Sequence, residues 1–320
     1  MDWPNHTRPR RVWRDAIAGQ RMHHGWILAG KAGLGKREFA LSAARELVAE
    51  AGVPQPNSDH PDIIVLTHLP KDDNEEKKKQ DGKSYQVKRN IAVAQIRAMQ
   101  QRLTMRPTLG ARRVIIIDPA DDLETSASNA LLKSLEEPPK GTFFILVAHR
   151  PSRLLPTIRS RCRTLRFEAL KDEEIEGMLR ESLHDAEPEA VRAAIAAAGG
   201  SFGAAQKFLE RDLGPIAKLM EEIVVQGDPS LSLRGRLSAG IGNRADRARI
   251  QSTLDLARII VAREAEQSQG VRQGALIETH VALVELAAQA PTYNFDPGLL
   301  VIEIGSLLAR AAEASERADA

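Results

Sequence analysis

The sequence has 320 residues with 42% hydrophobic and 28% charged side chains, and its formal net charge is +2. The length predicts two or three domains at about 100–200 residues each, and the near-neutral charge excludes a global basic field of the kind that attracts nucleic acid. With one cysteine, Cys162, no apolar run of about 18 residues and no basic-then-apolar start, we expect a cytoplasmic protein without disulfides, a membrane segment or a secretion signal.

The first predicted elements surround a glycine-rich loop. Residues 12–24 predict a helix followed by a turn, and the apolar run from Trp26 to Ala29 predicts a buried strand. Apolar residues at helical spacing then continue to residue 50. Between this strand and this helix lie the loop residues Gly30, Gly33, Gly35, Lys36 and Arg37. A strand, a glycine loop and a helix in this order indicate a nucleotide-binding α/β fold.

The glycine loop matches the phosphate-binding pattern Gly-x4-Gly-Lys-Ser/Thr except at its last position. In such a loop the backbone N–H groups hold the phosphates, the lysine neutralises them and the hydroxyl binds magnesium. Arg37 stands in place of the hydroxyl residue. A guanidinium has five donors and no acceptor, so it cannot bind a metal ion. The loop is therefore predicted to be a degenerate nucleotide site.

A uniformly polar segment follows the second predicted strand, Ile63 to Leu66. Residues 71–83 contain no apolar side chain, so we expect a solvated, mobile excursion that buries nothing. Its lysines could contact DNA, but their alternation with acids favours a solvated loop. Helical spacing returns from Ile91 to Leu103.

A run of branched apolar residues, Val114 to Ile117, predicts a third strand that ends at Asp118. In nucleotide-binding α/β folds an aspartate at this place holds the magnesium shell. The next residue in active enzymes of this type is usually a glutamate that orients the attacking water, whereas this chain has Pro119. The sequence thus lacks a second group that hydrolysis needs, independently of Arg37.

Residues 125–137 predict a helix that Pro138 ends, and Phe143 to Ala148 predicts a further buried strand. Strands that alternate with helices imply a doubly wound, mostly parallel sheet. The next stretch contains no acid and six arginines: Arg150, Arg153, Arg159, Arg161, Arg163 and Arg166. It has three interpretations: a solvated face, a phosphate contact with nucleic acid, or an arginine finger for a neighbour's nucleotide. Composition alone prefers the first.

Beyond Phe167 the pattern is helical throughout. Residues 168–212 fit a small helical domain with a break at Gly199 to Gly203, and residues 213–320 show no strand signal. We therefore predict an α/β domain over residues 1–167 and two helical domains after it.

Two segments carry a resemblance to a known family. Residues Asn129 to Pro139 read Asn-Ala-Leu-Leu-Lys-Ser-Leu-Glu-Glu-Pro-Pro, and residues Leu154 to Cys162 end in Ser-Arg-Cys. With these motifs the chain resembles the clamp-loader branch of the AAA+ proteins over nearly all of its length. The resemblance implies an AAA+ parallel-sheet domain, a small helical lid and a C-terminal all-α collar domain that joins a ring of subunits.

The same resemblance implies a site and partners. In related clamp loaders the arginine of Ser-Arg-Cys reaches ATP on the neighbouring subunit, and this role falls on Arg161. The implied partners are gamma/tau-type ATPase subunits and a delta subunit, with the sliding clamp and primer–template DNA met as part of the complex. ATP and magnesium would be bound by the partner subunits, and this chain would require no cofactor of its own.

The chain departs from active members of this family at Arg37, Pro119 and Ala204, where they have a hydroxyl, a glutamate and a lid arginine. Many members also carry a four-cysteine zinc module, and because the corresponding cysteines are absent here we expect no zinc. The resemblance therefore implies a non-hydrolysing clamp-loader subunit that assists DNA replication and supplies Arg161 in trans. Although it would belong to a DNA polymerase holoenzyme, we expect no catalysis from the chain itself.

Two alternatives stay open. A self-sufficient AAA+ ATPase would have to bind and hydrolyse ATP without the three missing groups. A nucleic-acid-binding module would use residues 150–166, but the near-zero net charge and the aromatic content of 4% count against this as the main activity.

Overall fold

The computed structural model describes residues 3–19, 22–56, 58–183, 186–242, 247–290 and 296–316. The chain forms two compact units, Met1–Ala169 and Leu170–Ala320. The predicted lid and collar both lie in the second unit, and their division at residue 212 stays a prediction.

A parallel sheet of five strands forms the centre of the first unit. The strands are β1 (Gly25–Ala29), β2 (Ile63–Leu66), β3 (Arg113–Ile117), β4 (Thr142–Ala148) and β5 (Arg163–Arg166). They lie in the order β2-β3-β4-β1-β5, and every neighbouring pair is parallel. Because parallel strands end at the same edge, the loops that follow β1, β3 and β4 converge there.

Helices cover both faces of this sheet. They are α1 (Thr7–Ala18), α2 (Lys36–Val48), α3 (Asp73–Gln80), α4 (Val93–Leu103), α5 (Thr125–Glu136) and α6 (Pro156–Arg159). On one face, Ile96 of α4 and Leu131 of α5 belong to the same buried cluster as Phe144 of β4. On the other face, Trp13 of α1 packs edge-on against Trp26 of β1, with ring centroids 5.2 Å apart. Strands buried on both faces explain the continuous apolar runs in the sequence.

The charged segment forms a helix, which corrects the expectation of a mobile loop. The Asp72 carboxylate caps α3 by accepting a hydrogen bond from the Glu75 backbone N–H at 3.0 Å. Glu75 is itself buried and accepts from Lys78 Nζ at 2.7 Å and from the Gln86 N–H at 2.6 Å. Capping and charged hydrogen bonds, rather than apolar burial, order these residues.

The sequence pattern does not predict β5. Only Leu165 of its four residues is buried, because β5 is an edge strand that pairs with β1 alone. Its first and last residues, Arg163 and Arg166, are exposed arginines, so the sequence here shows no apolar run and no clear strand pattern.

The described part of the second unit contains helices and no strands. They are α7 (Asp172–Ser182), α8 (Pro188–Ala198), α9 (Phe202–Glu210), α10 (Gly214–Gln226), α11 (Ser232–Ile241), α12 (Arg247–Gln267), α13 (Gly270–Gln289) and α14 (Pro297–Glu316). Leu254, Leu283 and Leu308, one from each of the last three helices, are completely buried. Across the described ranges, none of the helices has the length and apolar character needed to span a membrane.

Candidate functional site

The glycine loop has the strand–loop–helix geometry that the sequence predicts. The Gly30 N–H donates to the Ala148 carbonyl of β4 at 3.2 Å, and a Cβ on Gly30 would lie 2.6 Å from the Phe167 carbonyl oxygen. Gly33 and Gly35 have φ angles of 76° and 71°, a conformation that side chains disfavour. Close backbone approach at the first glycine and left-handed backbone at the other two therefore account for all three residues.

An N-terminal aromatic pair, which sequence reasoning missed, holds this loop. The indole of Trp3 occupies the space beside Gly35, where a Cβ would lie 2.4 Å from two ring carbons. The His6 ring stacks on Trp3 at 5.3 Å, and its Nε2–H donates to the Leu34 carbonyl at 2.9 Å. No periodicity precedes residue 12, so only the tertiary contact identifies these two residues.

Lys36 is buried beside the loop and bonded to its backbone. Its Nζ donates to the carbonyls of Gly30 at 2.8 Å and Lys31 at 2.5 Å. Burial lowers the pKa of Lys36 to about 8, against the opposing effect of Asp118 and the other nearby carboxylates. A lysine and the first N–H groups of α2 at one loop retain the chemistry of an anion site.

The structure joins Arg37, which stands at the position of the metal-binding hydroxyl, directly to Asp118, the aspartate expected in a magnesium shell. Arg37 Nη1 donates to Asp118 Oδ2 at 2.9 Å, and the aspartate side chain is only 10% exposed. This charge-assisted bond neutralises the carboxylate with a guanidinium that cannot ligate metal. The described ranges hold no group of three or more His, Cys, Asp or Glu residues that could bind a metal ion.

Asp121, the first acid after Pro119, is engaged elsewhere. The Asp121 carboxylate accepts hydrogen bonds from the backbone N–H groups of His149 at 2.8 Å and Arg150 at 3.1 Å. Burial and the nearby Lys36 ammonium lower the pKa of His149, so its imidazole is neutral near pH 7. Asp121 thus ties the loop after β3 to the loop after β4, and it does not replace the missing glutamate.

Arg161 lies in a different part of the first unit, between α6 and β5. Its Nη2 is 2.7 Å from Glu136 Oε1 at the end of α5, and its Nη1 donates to the Thr157 carbonyl at 3.0 Å. The side chains of Arg161 and Glu136 are 36% and 50% exposed. Solvent-exposed ion pairs contribute little to stability, so this guanidinium can exchange Glu136 for another anion at small cost.

The backbone of Arg161, in contrast, is firmly anchored. Cys162 is half-buried against the core, and this burial raises the pKa of its thiol to about 12, so it acts as a packing residue and not as a nucleophile. A Cβ on Gly25 would lie 2.9 Å from Cys162 Sγ and 3.1 Å from the Arg161 carbonyl oxygen. The start of β1 therefore fixes the position from which the arginine projects.

Gly25→Ala is expected to lower the free energy of unfolding by about 1–3 kcal/mol, because the new methyl group meets a backbone carbonyl that cannot rotate away. Thermal unfolding followed by circular dichroism measures this change. Gly177→Ala is the matched control, since a Cβ there meets nothing within 4 Å inside α7. The control should gain about 0.5–1 kcal/mol, and a Gly25→Ala protein as stable as wild type would contradict the anchoring contact.

The fold and the geometry of the loop identify the class of protein to which this chain belongs. A parallel α/β unit with a glycine loop, followed by helices, is the AAA+ class of nucleotide-binding fold, here with an ion pair at the magnesium position. A family model described as DNA polymerase III, delta subunit, matches residues 6–171, slightly more than half of the chain. The chain therefore belongs to this family, which confirms the predicted family and fold class.

Relatives and a solved structure agree with this assignment. The DNA polymerase III subunit delta' of Pseudomonas aeruginosa is 34% identical over 213 residues, which cover 61% of this chain and 60% of the relative. The Bacillus subtilis subunit delta' is 32% identical over 201 residues, 59% of this chain and 55% of that one. The chain thus matches little more than half the length of these relatives. A gamma subunit-related protein of Thermotoga maritima has a TM-score of 0.53 at 19% identity, covers 95% of this chain and 99% of its own, and shows the fold alone.

Proposed function

We propose that this chain is a non-hydrolysing, delta'-like subunit of a DNA polymerase III clamp loader, which helps to load the sliding clamp onto primed DNA. The observation that carries the proposal is the Arg37–Asp118 ion pair in a member of this family. The positive guanidinium of Arg37 occupies the place beside Asp118 where an active loop would have the positive charge of magnesium. Because metal ions contribute several kcal/mol to phosphoryl chemistry, losing the metal removes a major part of hydrolysis.

Two further positions support the loss of hydrolysis. Pro119 follows Asp118 where a water-orienting acid would be needed, and the next acid, Asp121, is bound to the β4 loop. Ala204, in the first turn of α9, donates its backbone N–H to the capping Ser201 hydroxyl and brings no charge to a phosphate. Three separate changes thus act in the same direction.

Arg161 is proposed to act in trans as an arginine finger for the nucleotide of a neighbouring ATPase subunit. Its planar guanidinium matches the geometry of phosphate oxygens. Because its ion pair with Glu136 is weak, the guanidinium can leave this partner for a phosphate. The contact of Gly25 with Cys162 fixes the backbone from which the arginine side chain extends. The partners in this proposal are gamma/tau-type ATPase subunits and a delta subunit, with the clamp and primer–template DNA bound by the whole complex in the cytoplasm. ATP and magnesium are held by those partners, and the chain needs neither a cofactor nor zinc.

Reconstitution tests the proposal against the alternative of a self-sufficient ATPase. The isolated chain should show no magnesium-dependent ATP binding by calorimetry and no turnover above buffer. Added to purified ATPase and delta subunits, it should be required for clamp loading on primed DNA. Tight magnesium-dependent ATP binding with turnover by the isolated chain would overturn the proposal, whereas metal-free phosphate at Lys36 would agree with it.

A further inference from the structure

One edge of the parallel sheet, at strand β2, is open. β2 is the first strand in the order of the sheet and pairs with β3 alone. The carbonyls of Asp62 and Leu66 accept hydrogen bonds at 2.9 Å from backbone N–H groups within β3 and directly after it. Because the backbone groups of alternate residues point to opposite sides of a strand, Ile63 and Val65 direct theirs away from β3.

Three backbone groups on this open edge have no partner among the described residues. The Ile63 N–H turns back and donates to the His60 carbonyl at 3.0 Å. The Ile63 carbonyl and both backbone groups of Val65 make no hydrogen bond within the part of the chain that the structure describes. The Val65 residue is 36% exposed, so the edge is accessible from outside. Unpaired donors and acceptors on an edge strand are a template for pairing with another chain.

A groove of about 480 Å³ follows the open edge of β2. Ile64 belongs to the buried cluster that includes α4 and α5. Because successive side chains of a strand point to opposite faces, Ile63 and Val65 point to the other face, towards α2. Leu41 of α2 completes an apolar wall there. The groove thus combines unpaired backbone groups with an apolar wall on the α2 side.

Two exposed arginines give the groove a positive rim. Arg45 of α2 donates to the Ser58 carbonyl at 2.9 Å, and Arg102 of α4 donates to the Pro61 carbonyl at 3.3 Å. Neither guanidinium forms an ion pair with a carboxylate of the described residues. They outnumber Asp59, the acid in the lining. Since a guanidinium bonds a carboxylate more strongly than a neutral carbonyl, the rim favours an acidic occupant.

We propose that the open edge of β2 binds an extended acidic segment of another protein, which adds a sixth strand to the sheet. The backbone of the segment pairs with Ile63 and Val65. Its side chains alternate, with apolar residues against the α2 wall and acidic residues towards Arg102. Main-chain bonds supply affinity and the alternation supplies specificity. A helix does not fit, because its backbone groups are already paired. This surface goes beyond the proposed function and does not depend on it.

A peptide of alternating valine and glutamate, about eight residues long and labelled with fluorescein, is the probe. Its binding to the full chain is measured by fluorescence anisotropy. Val65→Pro removes an N–H from the open edge and none of the bonds to β3, and proline is tolerated at such edge positions. The Kd should rise roughly tenfold, the effect of a lost hydrogen bond. Val65→Thr, which keeps the N–H and the branched side chain, is the matched control and should stay within about threefold.

Charge variants test the chemistry of the occupant. Arg102→Glu should raise the Kd of the valine–glutamate peptide roughly tenfold and should make a valine–lysine peptide the tighter ligand. Arg97→Glu is the matched control, because Arg97 is also an exposed arginine of α4 but does not line the groove. It should stay within about threefold of wild type.

A backbone-methylated peptide keeps the test decisive if Val65→Pro melts lower than wild type. Methyl groups on alternate backbone nitrogens of the valine–glutamate peptide block strand pairing, so this peptide should not bind the wild-type chain. No binding of the unmethylated peptide, or equal binding of both peptides, would overturn the pairing with β2. Equal affinity for the valine–lysine peptide would overturn the acidic preference, and displacement of the peptide by oligothymidylate would make nucleic acid the occupant. All these measurements use the isolated chain, so failure of the proposed function leaves their outcome unchanged.

Discussion

If Arg161 acts in trans as proposed, Arg161→Ala is expected to slow ATP hydrolysis at the neighbouring subunit's site by roughly 10³–10⁵-fold, the effect of removing an arginine finger. The substitution removes a guanidinium that is bound at the surface by Glu136, by the Thr157 carbonyl and by the Ser160 hydroxyl. The variant chain should still fold, because the anchoring contacts at Cys162 and Gly25 are retained. Single-turnover ATP hydrolysis by the reconstituted complex, with clamp and primed DNA present, measures the change.

Two variants sharpen this experiment. Arg159→Ala removes an exposed arginine two residues earlier on α6 and should leave the rate within about threefold of wild type. Arg161→Lys keeps the charge but loses the planar fork, so it should recover little of the rate. Hydrolysis at the wild-type rate in an intact Arg161→Ala complex would show that this arginine has no role in trans.

Arg37→Thr is expected to create magnesium-dependent nucleotide binding in the isolated chain. The change restores the hydroxyl of the loop pattern and releases the Asp118 carboxylate from its 2.9 Å bond with the guanidinium. Because a bound metal contributes several kcal/mol, the affinity for magnesium–ADP should rise roughly a hundredfold or more. Hydrolysis should stay absent, since Pro119 still provides no group to orient water.

Titration calorimetry with magnesium and then with EDTA separates the metal-dependent part of binding. Arg37→Thr combined with Asp118→Ala is the matched control, because the hydroxyl is present but the carboxylate is not. Its affinity should not depend on magnesium. If Arg37→Thr binds nucleotide no better than wild type, another feature closes the loop, and Trp3 against Gly35 is the first residue to replace.

The sequence predicts most of the first unit because its strands have a simple pattern. The three inner strands β1, β3 and β4 are buried on both faces and appear as apolar runs, such as Val114 to Ile117, and the edge strand β2 keeps an apolar run although only Ile64 in it is buried. The edge strand β5 has one buried residue, Leu165, and gives no such run. Helix α3 is ordered by the Asp72 cap and by the hydrogen bonds of Glu75. A search for hydrophobic periodicity does not detect such polar contacts.

The sequence predicts the residues of the candidate site but not the contacts between them. Gly30, Lys36, Arg37 and Asp118 follow from a short motif and from the end of a strand, because the chemistry of phosphate binding requires those residue types at that spacing. The bond between Arg37 and Asp118 does not follow, since 81 positions separate the two residues. The contact of Trp3 with Gly35 also depends on how distant segments pack.

By itself, the sequence determined that the chain has a nucleotide-binding α/β unit followed by helices, and that Arg37 and Pro119 stand where the patterns of active enzymes have a hydroxyl and a glutamate. Local composition and spacing carry such information. The tertiary structure alone decided which elements contact one another: Arg37 binds Asp118, Arg161 lies against Glu136, and β2 pairs along one edge only. These facts depend on contacts between residues far apart in sequence, which arise only when the strands and helices pack together.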